Sequence, residues 1–280
     1  MTPCRLYRAT QAMSSLDYGL PQRHQDESTM PNPPTFRDHF SGHASDYSRY
    51  RPRYPQTLFD WLASLIPETT RVWDCGTGNG QAAVALARHF SSVHATDASP
   101  EQIAAAQKHD RVHYAVASAA KSGLQDDAVN LITVAQALHW FEPHPFHQEV
   151  ERVLQPGGIV AAWCYEIFKL NTDFDAALDT LYRDILGKDW PPQRRHIETG
   201  YRLFDWPWPK MPPPPMQLSS NWTIDQTLGY LRTWSATQRW KRREGTDPVA
   251  LVESDLRSTW GESETQTISW PLTLLVSRID

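Results

Sequence analysis

Cysteine is scarce: the 280-residue chain has three, Cys4, Cys75 and Cys164, at unrelated spacings. That excludes a disulfide framework and fits a reducing compartment, so a cytoplasmic protein is expected. No apolar run approaches the roughly 20 residues that a bilayer-spanning helix needs, and no membrane partner is expected. Positive charge is not in excess either, since 27 Lys and Arg stand against 32 Asp and Glu for a net charge of −5. A general nucleic-acid binder is therefore excluded. The local basic pairs, Arg194-Arg195 and Lys241-Arg242-Arg243, read as solvated faces. Residues 1–34 have no apolar signal core, and Asp17, Asp26 and Glu27 oppose a transit peptide despite Arg5, Arg8 and Arg23. A disordered tail is expected there.

What is present is Val72-Trp73-Asp74-Cys75-Gly76-Thr77-Gly78-Asn79-Gly80-Gln81, a strand that ends in a glycine-rich turn and opens into a helix. Such a turn lets backbone approach a ligand and aims free helix N–H groups at it. A dinucleotide fingerprint needs glycine at 81, where Gln81 stands, and a phosphate loop needs a Lys after the glycines, which is missing. Asp74 would repel a pyrophosphate but attract a cation. These residues favour S-adenosylmethionine, which carries an ammonium and a sulfonium and no phosphate.

Asp97 follows the next strand, about twenty residues beyond the first glycine, where a doubly wound fold brings a carboxylate to ribose hydroxyls. Ser99-Pro100-Glu101-Gln102 supplies its own helix cap, leaving Asp97 for the ligand. Strands at Val112–Val116, Leu131–Ala135 and Ile159–Trp163 then alternate with helices at Gln81–Phe90 and Phe146–Leu154. Pro156-Gly157-Gly158 turns the chain into the last of these strands. This alternation predicts an α/β fold with a parallel sheet covered on both faces and a ligand at the strands' carboxyl ends.

Four elements resemble the class I S-adenosylmethionine-dependent methyltransferases, and among them the small-molecule group similar to trans-aconitate methyltransferases. They are Asp74 to Gly80, Asp97-Ala98-Ser99, Ala135-Gln136-Ala137-Leu138-His139-Trp140-Phe141 and Leu154-Gln155-Pro156-Gly157-Gly158. The resemblance implies a Rossmann-like, doubly wound, seven-stranded sheet with an inserted, mainly helical cap. It implies a methyl donor held by Asp74, Cys75, Gly76, Thr77 and Gly78, with Asp97 on the ribose and Ala98, Gln102, Ser118 and Ala119 beside the adenine. Gln136 also falls on the donor side. Many relatives have an acid after the third strand, whereas Ala117-Ser118-Ala119-Ala120 has none. Upstream, Asp46 to Pro55 resembles an N-terminal lid in which Tyr47 and Arg51 would contact the donor, Arg51 through a carboxylate.

A sulfonium methyl is already activated, so positioning of the acceptor and exclusion of water carry most of the rate. His139, after the fourth strand, is the candidate for orienting an anionic acceptor or for removing a proton, with Trp140 and Phe141 as an apolar wall. The run His139, Glu142, His144, His147 is interrupted by Pro143 and Pro145, and no metal is expected. Beyond Trp163, apolar stripes run from Phe174 to Leu186 and from Ile224 to Trp234, the second behind a Thr223-x-x-Gln226 capping box; Asp247-Pro248 begins a third. The Trp- and Pro-rich stretch 190–215 reads as a cap over the acceptor, and 267–276 as a closing strand bent at Pro271.

The expected organisation is a tail over 1–34, a methyltransferase core over 35–165 plus 265–280, and a substrate cap over 166–264 in a monomer or homodimer. The expected reaction is methylation of a small molecule, with a carboxylate as leading acceptor. A larger aromatic or isoprenoid metabolite, or a donor-binding module without catalysis, remain the alternatives.

Overall fold

The computed structural model describes residues 50–67 and 70–280, all within one unit, Arg37–Asp280. The expected tail and Tyr47 lie outside the described residues. Five strands run parallel: β1 (Arg71–Cys75), β2 (Ser92–Asp97), β3 (Val112–Val116), β4 (Val129–Ala135) and β5 (Leu154–Tyr165). A further strand, β8 (Leu272–Ile279), pairs antiparallel with β5, and the order is β3-β2-β1-β4-β5-β8. The strand order reverses between β1 and β4, so the carboxyl ends of these two neighbours flank a crevice.

Period-two alternation builds the two faces of this sheet. Val72, Leu131, Ile159, Ala161 and Trp163 pack with helices α1 (Gln56–Ser64) and α2 (Gln81–Leu86). Their neighbours Trp73, Ile132, Val134, Val160 and Ala162 face the other way, onto α4 (Pro143–Val153). α3 (Pro100–Ala104) follows β2, with Ser99 Oγ accepting from the Gln102 N–H at 3.3 Å as its cap. Pro143 occupies the first turn of α4, where a missing N–H costs nothing, so the two prolines begin this helix and do not interrupt it. Pro156-Gly157-Gly158 lies inside β5 as a bulge, because the register jumps from Val129↔Leu154 to Leu131↔Ile159.

The sheet has six strands, not seven. The expected closing strand is two strands that part at Pro271: β7 (Thr265–Trp270) leaves to pair antiparallel with β6 (Leu218–Thr223), while β8 joins β5. Proline has no N–H for a ladder and suits the point where the chain changes sheets. Beyond β8 the edge meets the Trp-Pro stretch: Met211 N–H donates to the Val276 carbonyl at 2.8 Å and Trp206 Nε1 to Ser277 Oγ at 2.9 Å. Six prolines over 207–215 cannot extend that pairing into a strand.

The segment between β5 and β7 has a core of its own. α5 (Thr172–Asp179) passes into a wider turn, Thr180–Ile185, and buries Phe174, Leu178 and Leu181 against α7 (Ile224–Arg232) and α9 (Glu253–Ser258). The capping box of α7 is formed in full: Thr223 N–H donates to Gln226 Oε1 at 2.9 Å, and Gln226 N–H to Thr223 Oγ1 at 3.2 Å. Gly229 has the Tyr50 ring against it, where any Cβ would come within 2.6 Å of that ring. The short α6 (Arg194–Glu198) and α8 (Ser235–Glu244) complete this region. No described helix is long and apolar enough to cross a membrane.

Candidate functional site

The turn after β1 is clamped onto β2: Gly76 and Thr77 N–H groups both donate to the Thr96 carbonyl, at 2.8 and 2.9 Å. Two of its glycines are demanded by contact as well as by backbone. Gly76 has φ +70°, and a Cβ there would lie 2.5 Å from Ala137 Cβ; Gly80 has φ +84°, and a Cβ would lie 2.1 Å from the Tyr114 hydroxyl. Space above Gly78 is open, the nearest atom to an added Cβ being Gln102 Oε1 at 3.8 Å.

Asp74 is turned inward. It is fully buried, with Oδ2 accepting from Thr77 Oγ1 at 2.6 Å and Oδ1 from Thr133 Oγ1 at 2.7 Å. The Ala83 N–H of α2 also faces it, so the acid serves as the cap that Gly80 cannot provide. Burial pushes its pKa up to about 6 against those donors. Its place is thus in the scaffold beneath the turn, with Cys75, also buried, beside it. Burial likewise pushes the Cys75 and Cys164 thiols up, which disfavours either as a nucleophile.

Asp97 joins the turn to the second strand. Its Oδ2 accepts from Gly78 N–H and its Oδ1 from Ser99 N–H, both at 2.9 Å, so the carboxylate also organises the backbone around it. Ala98 and Gln102 follow on α3's approach, and the Ala117 N–H donates to the Asp97 carbonyl at 3.0 Å, bringing the loop with Ser118 and Ala119 alongside. Ser118 is exposed and Ala119 half-buried against the core. These expected donor-side residues lie together at the carboxyl ends of β1, β2 and β3.

A second space, an open cleft, lies over the ends of β4 and β5. Gln136, His139 and Trp140 form its floor, while Trp190, Arg194, Tyr230 and Trp234 come from the later segment. Gln136 is held at φ +55° with its N–H on the Trp163 carbonyl at 2.9 Å, and its Oε1 is buried with no hydrogen-bond partner. Burial first, then the charge of Arg194, lowers the His139 pKa to about 3, so the imidazole is neutral. Its Nδ1 lies 3.5 Å from the Tyr201 hydroxyl. Trp140 packs on the same imidazole with ring centroids 4.8 Å apart.

Arg51 is placed in this cleft, with Nη1 donating to the Tyr165 hydroxyl at 3.2 Å and the guanidinium over the Tyr230 ring at 5.4 Å. Arg51 and Gln136, both expected to touch the donor, thus line this cleft. Arg194 was read as solvated, but only its neighbour Arg195 is exposed. Its guanidinium lies 4.8 Å from the Trp190 ring centroid, donates through Nε to the Tyr182 hydroxyl at 2.9 Å, and forms no ion pair with any described residue. Of 190–215, the first part reaches the cleft while the prolines follow the sheet edge. Sequence reading missed Arg194, Tyr165, Tyr201 and Tyr230; a Trp-rich run between 190 and 234 was the only local signal. Among the described residues no group of three His, Cys, Asp or Glu side chains could hold a metal ion.

A doubly wound sheet with a glycine turn at its switch point and an acid ending the next strand defines the class I methyltransferase fold. A methyltransferase-domain family model matches residues 73–162. A solved structure assigned as a type II methyltransferase from Anaeromyxobacter dehalogenans is 42% identical, with a TM-score of 0.75, over 82% of this chain and 98% of that one. A Dictyostelium discoideum protein assigned as a methyltransferase is 29% identical over 90% of this chain and 98% of its own length. A Saccharomyces cerevisiae protein assigned as an S-adenosylmethionine-dependent methyltransferase is 26% identical over 56% of this chain and 59% of its own. The chain belongs to the class I S-adenosylmethionine-dependent methyltransferases. That family implies S-adenosylmethionine as co-substrate, and the residues fit it: open space over Gly78, no phosphate-binding Lys, and an unpartnered Gln136 carbonyl as a hydrogen-bond acceptor.

Proposed function

We propose that the chain methylates a carboxylate of a small organic acid, forming an ester. The observation that carries this reading is Arg194, a guanidinium stacked on Trp190 in the cleft and without an ion-pair partner among the described residues. A second guanidinium, Arg51, lines the same cleft, and among the described residues no acidic side chain does. Such a surface favours an anion, which a guanidinium can hold through two parallel hydrogen bonds. When bound, S-adenosylmethionine supplies an activated methyl group, so no covalent nucleophile of the enzyme is needed.

A neutral His139 fits an acceptor that needs no base. A carboxylate is ionised at neutral pH and attacks directly, whereas a hydroxyl or carbon acid has to lose a proton to a base far stronger than an imidazole of pKa about 3. Trp140, Trp190 and Trp234 contribute apolar walls that exclude water. On this reading 166–264 is the acceptor cap, with β7 paired onto it, and 35–165 with β8 the donor core.

The test is a panel of carboxylic acids, matched alcohols and amides, and larger aromatic and isoprenoid compounds, incubated with methyl-labelled donor. Base-labile label on acids is expected, and Arg194→Met should raise KM for the acid about 10- to 100-fold while donor affinity stays unchanged. Preferential labelling of a neutral hydroxyl or a ring carbon would overturn the reading.

A further inference from the structure

We propose that Tyr201 is a positioning residue that holds His139 in the tautomer with its proton on Nε2, making His139 a hydrogen-bond donor to the acceptor and not a base. Naming that acceptor as a carboxylate rests on the function proposed above; the tautomer does not.

Tyr201 is placed at a cost. It is completely buried and has φ +56°, directly after Gly200 at φ +54°. A non-glycine residue in the left-handed region is strained, and such strain persists only where the surroundings over-determine it. Here the Tyr201 N–H closes the end of α6 on the His196 carbonyl at 2.7 Å, and Gly200 admits no side chain, because a Cβ would meet Thr273 Oγ1 at 2.9 Å. The tyrosine ring is thereby carried under the floor of the cleft, parallel to within 29° of the His139 ring.

The hydroxyl has one proton to give. The Leu138 backbone group facing its oxygen favours the phenolate, as an N–H donor does, so the oxygen acts there as acceptor. The two acceptors within reach of its proton are the Cys164 thiol and His139 Nδ1. Burial keeps the Cys164 thiol protonated, and its sulfur is a weak acceptor, whereas a neutral imidazole always has one ring nitrogen that is a strong acceptor, so the hydroxyl proton bonds better to Nδ1 than to sulfur. A neutral imidazole carries a single proton, which then sits on Nε2. Burial and the nearby Arg194 charge keep the ring neutral, so this donor persists. His139 and Arg194 both line the cleft and together offer N–H donors to one anion.

The experiment uses the full chain with 15N-labelled histidine, in which two-bond nitrogen–proton correlations distinguish the tautomers. The His139 signals are identified by their absence from the His139→Gln spectrum. Wild type should show the Nε2–H form alone, without any acceptor present. Tyr201→Phe, which keeps ring and volume, should give a mixture of both tautomers. With the carboxylic acid of the panel that is labelled fastest as acceptor, Tyr201→Phe should raise KM about 10-fold with kcat and donor affinity unchanged. A wild-type His139 in the Nδ1–H form, a charged His139 at neutral pH, or an unaltered tautomer in Tyr201→Phe would each overturn the inference. Correct tautomers combined with methylation of a neutral acceptor would defeat the carboxylate reading and leave the Tyr201 role intact.

Discussion

Gly76 and Ala137 touch so closely that a Cβ on Gly76 would sit 2.5 Å from that of Ala137. Gly76 directly follows β1 and Ala137 follows β4, so this contact welds the glycine turn to the segment that carries His139. Gly76→Ala should destabilise the fold by about 2–4 kcal/mol, part from the left-handed backbone and part from the clash. Ala137→Gly in the same chain should relieve the clash but not the backbone term, giving a favourable coupling in a thermal-unfolding double-mutant cycle. Strict additivity would show that the two residues do not share this contact.

Asp97 holds two backbone N–H groups, on Gly78 and Ser99, with separate oxygens. Asn has a single acceptor oxygen and cannot satisfy both. Calorimetric titration should show S-adenosylmethionine affinity falling at least about 10-fold in Asp97→Asn and in Asp97→Ala. Retention of full affinity in both would remove Asp97 from the donor site.

His139 links stability to pH. Its folded pKa of about 3 lies below the ordinary value of 6.5, so as pH drops below 6.5 the unfolded chain binds a proton that the folded chain refuses. Stability is lost in that direction. Between pH 7 and pH 5 wild type should lose about 2 kcal/mol more than His139→Gln, as measured by urea denaturation. Parallel pH profiles would mean that His139 takes up its proton as readily in the folded chain as in the unfolded one.

Thr223 caps α7 with both bonds of a capping box in place. Replacing it by Ala should cost about 1 kcal/mol in chemical denaturation without changing S-adenosylmethionine affinity, since the helix start lies apart from the glycine turn.

Local signals were read well where one stretch of chain contains both partners. The Thr223-x-x-Gln226 box, the Ser99 cap and the Gly76 to Gly80 turn all form from residues within a few positions. Asp74 was half legible: its place before the glycines was plain, but its inward direction depends on Thr133, which is 59 residues away. Arg194 misled for the same reason, because an Arg-Arg pair looks solvated until Trp190 and Tyr182 are folded around it.

The glycine turn, the βαβ alternation and the helix caps are written in the order of residues, since they follow from backbone dihedrals, side-chain period and short-range hydrogen bonds. Tertiary structure alone decided that the chain changes sheets at Pro271 and that Arg51, His139, Arg194 and Tyr230 converge on one cleft. Those residues come from four distant segments whose meeting depends on how two cores pack, and no periodicity in the chain encodes that convergence.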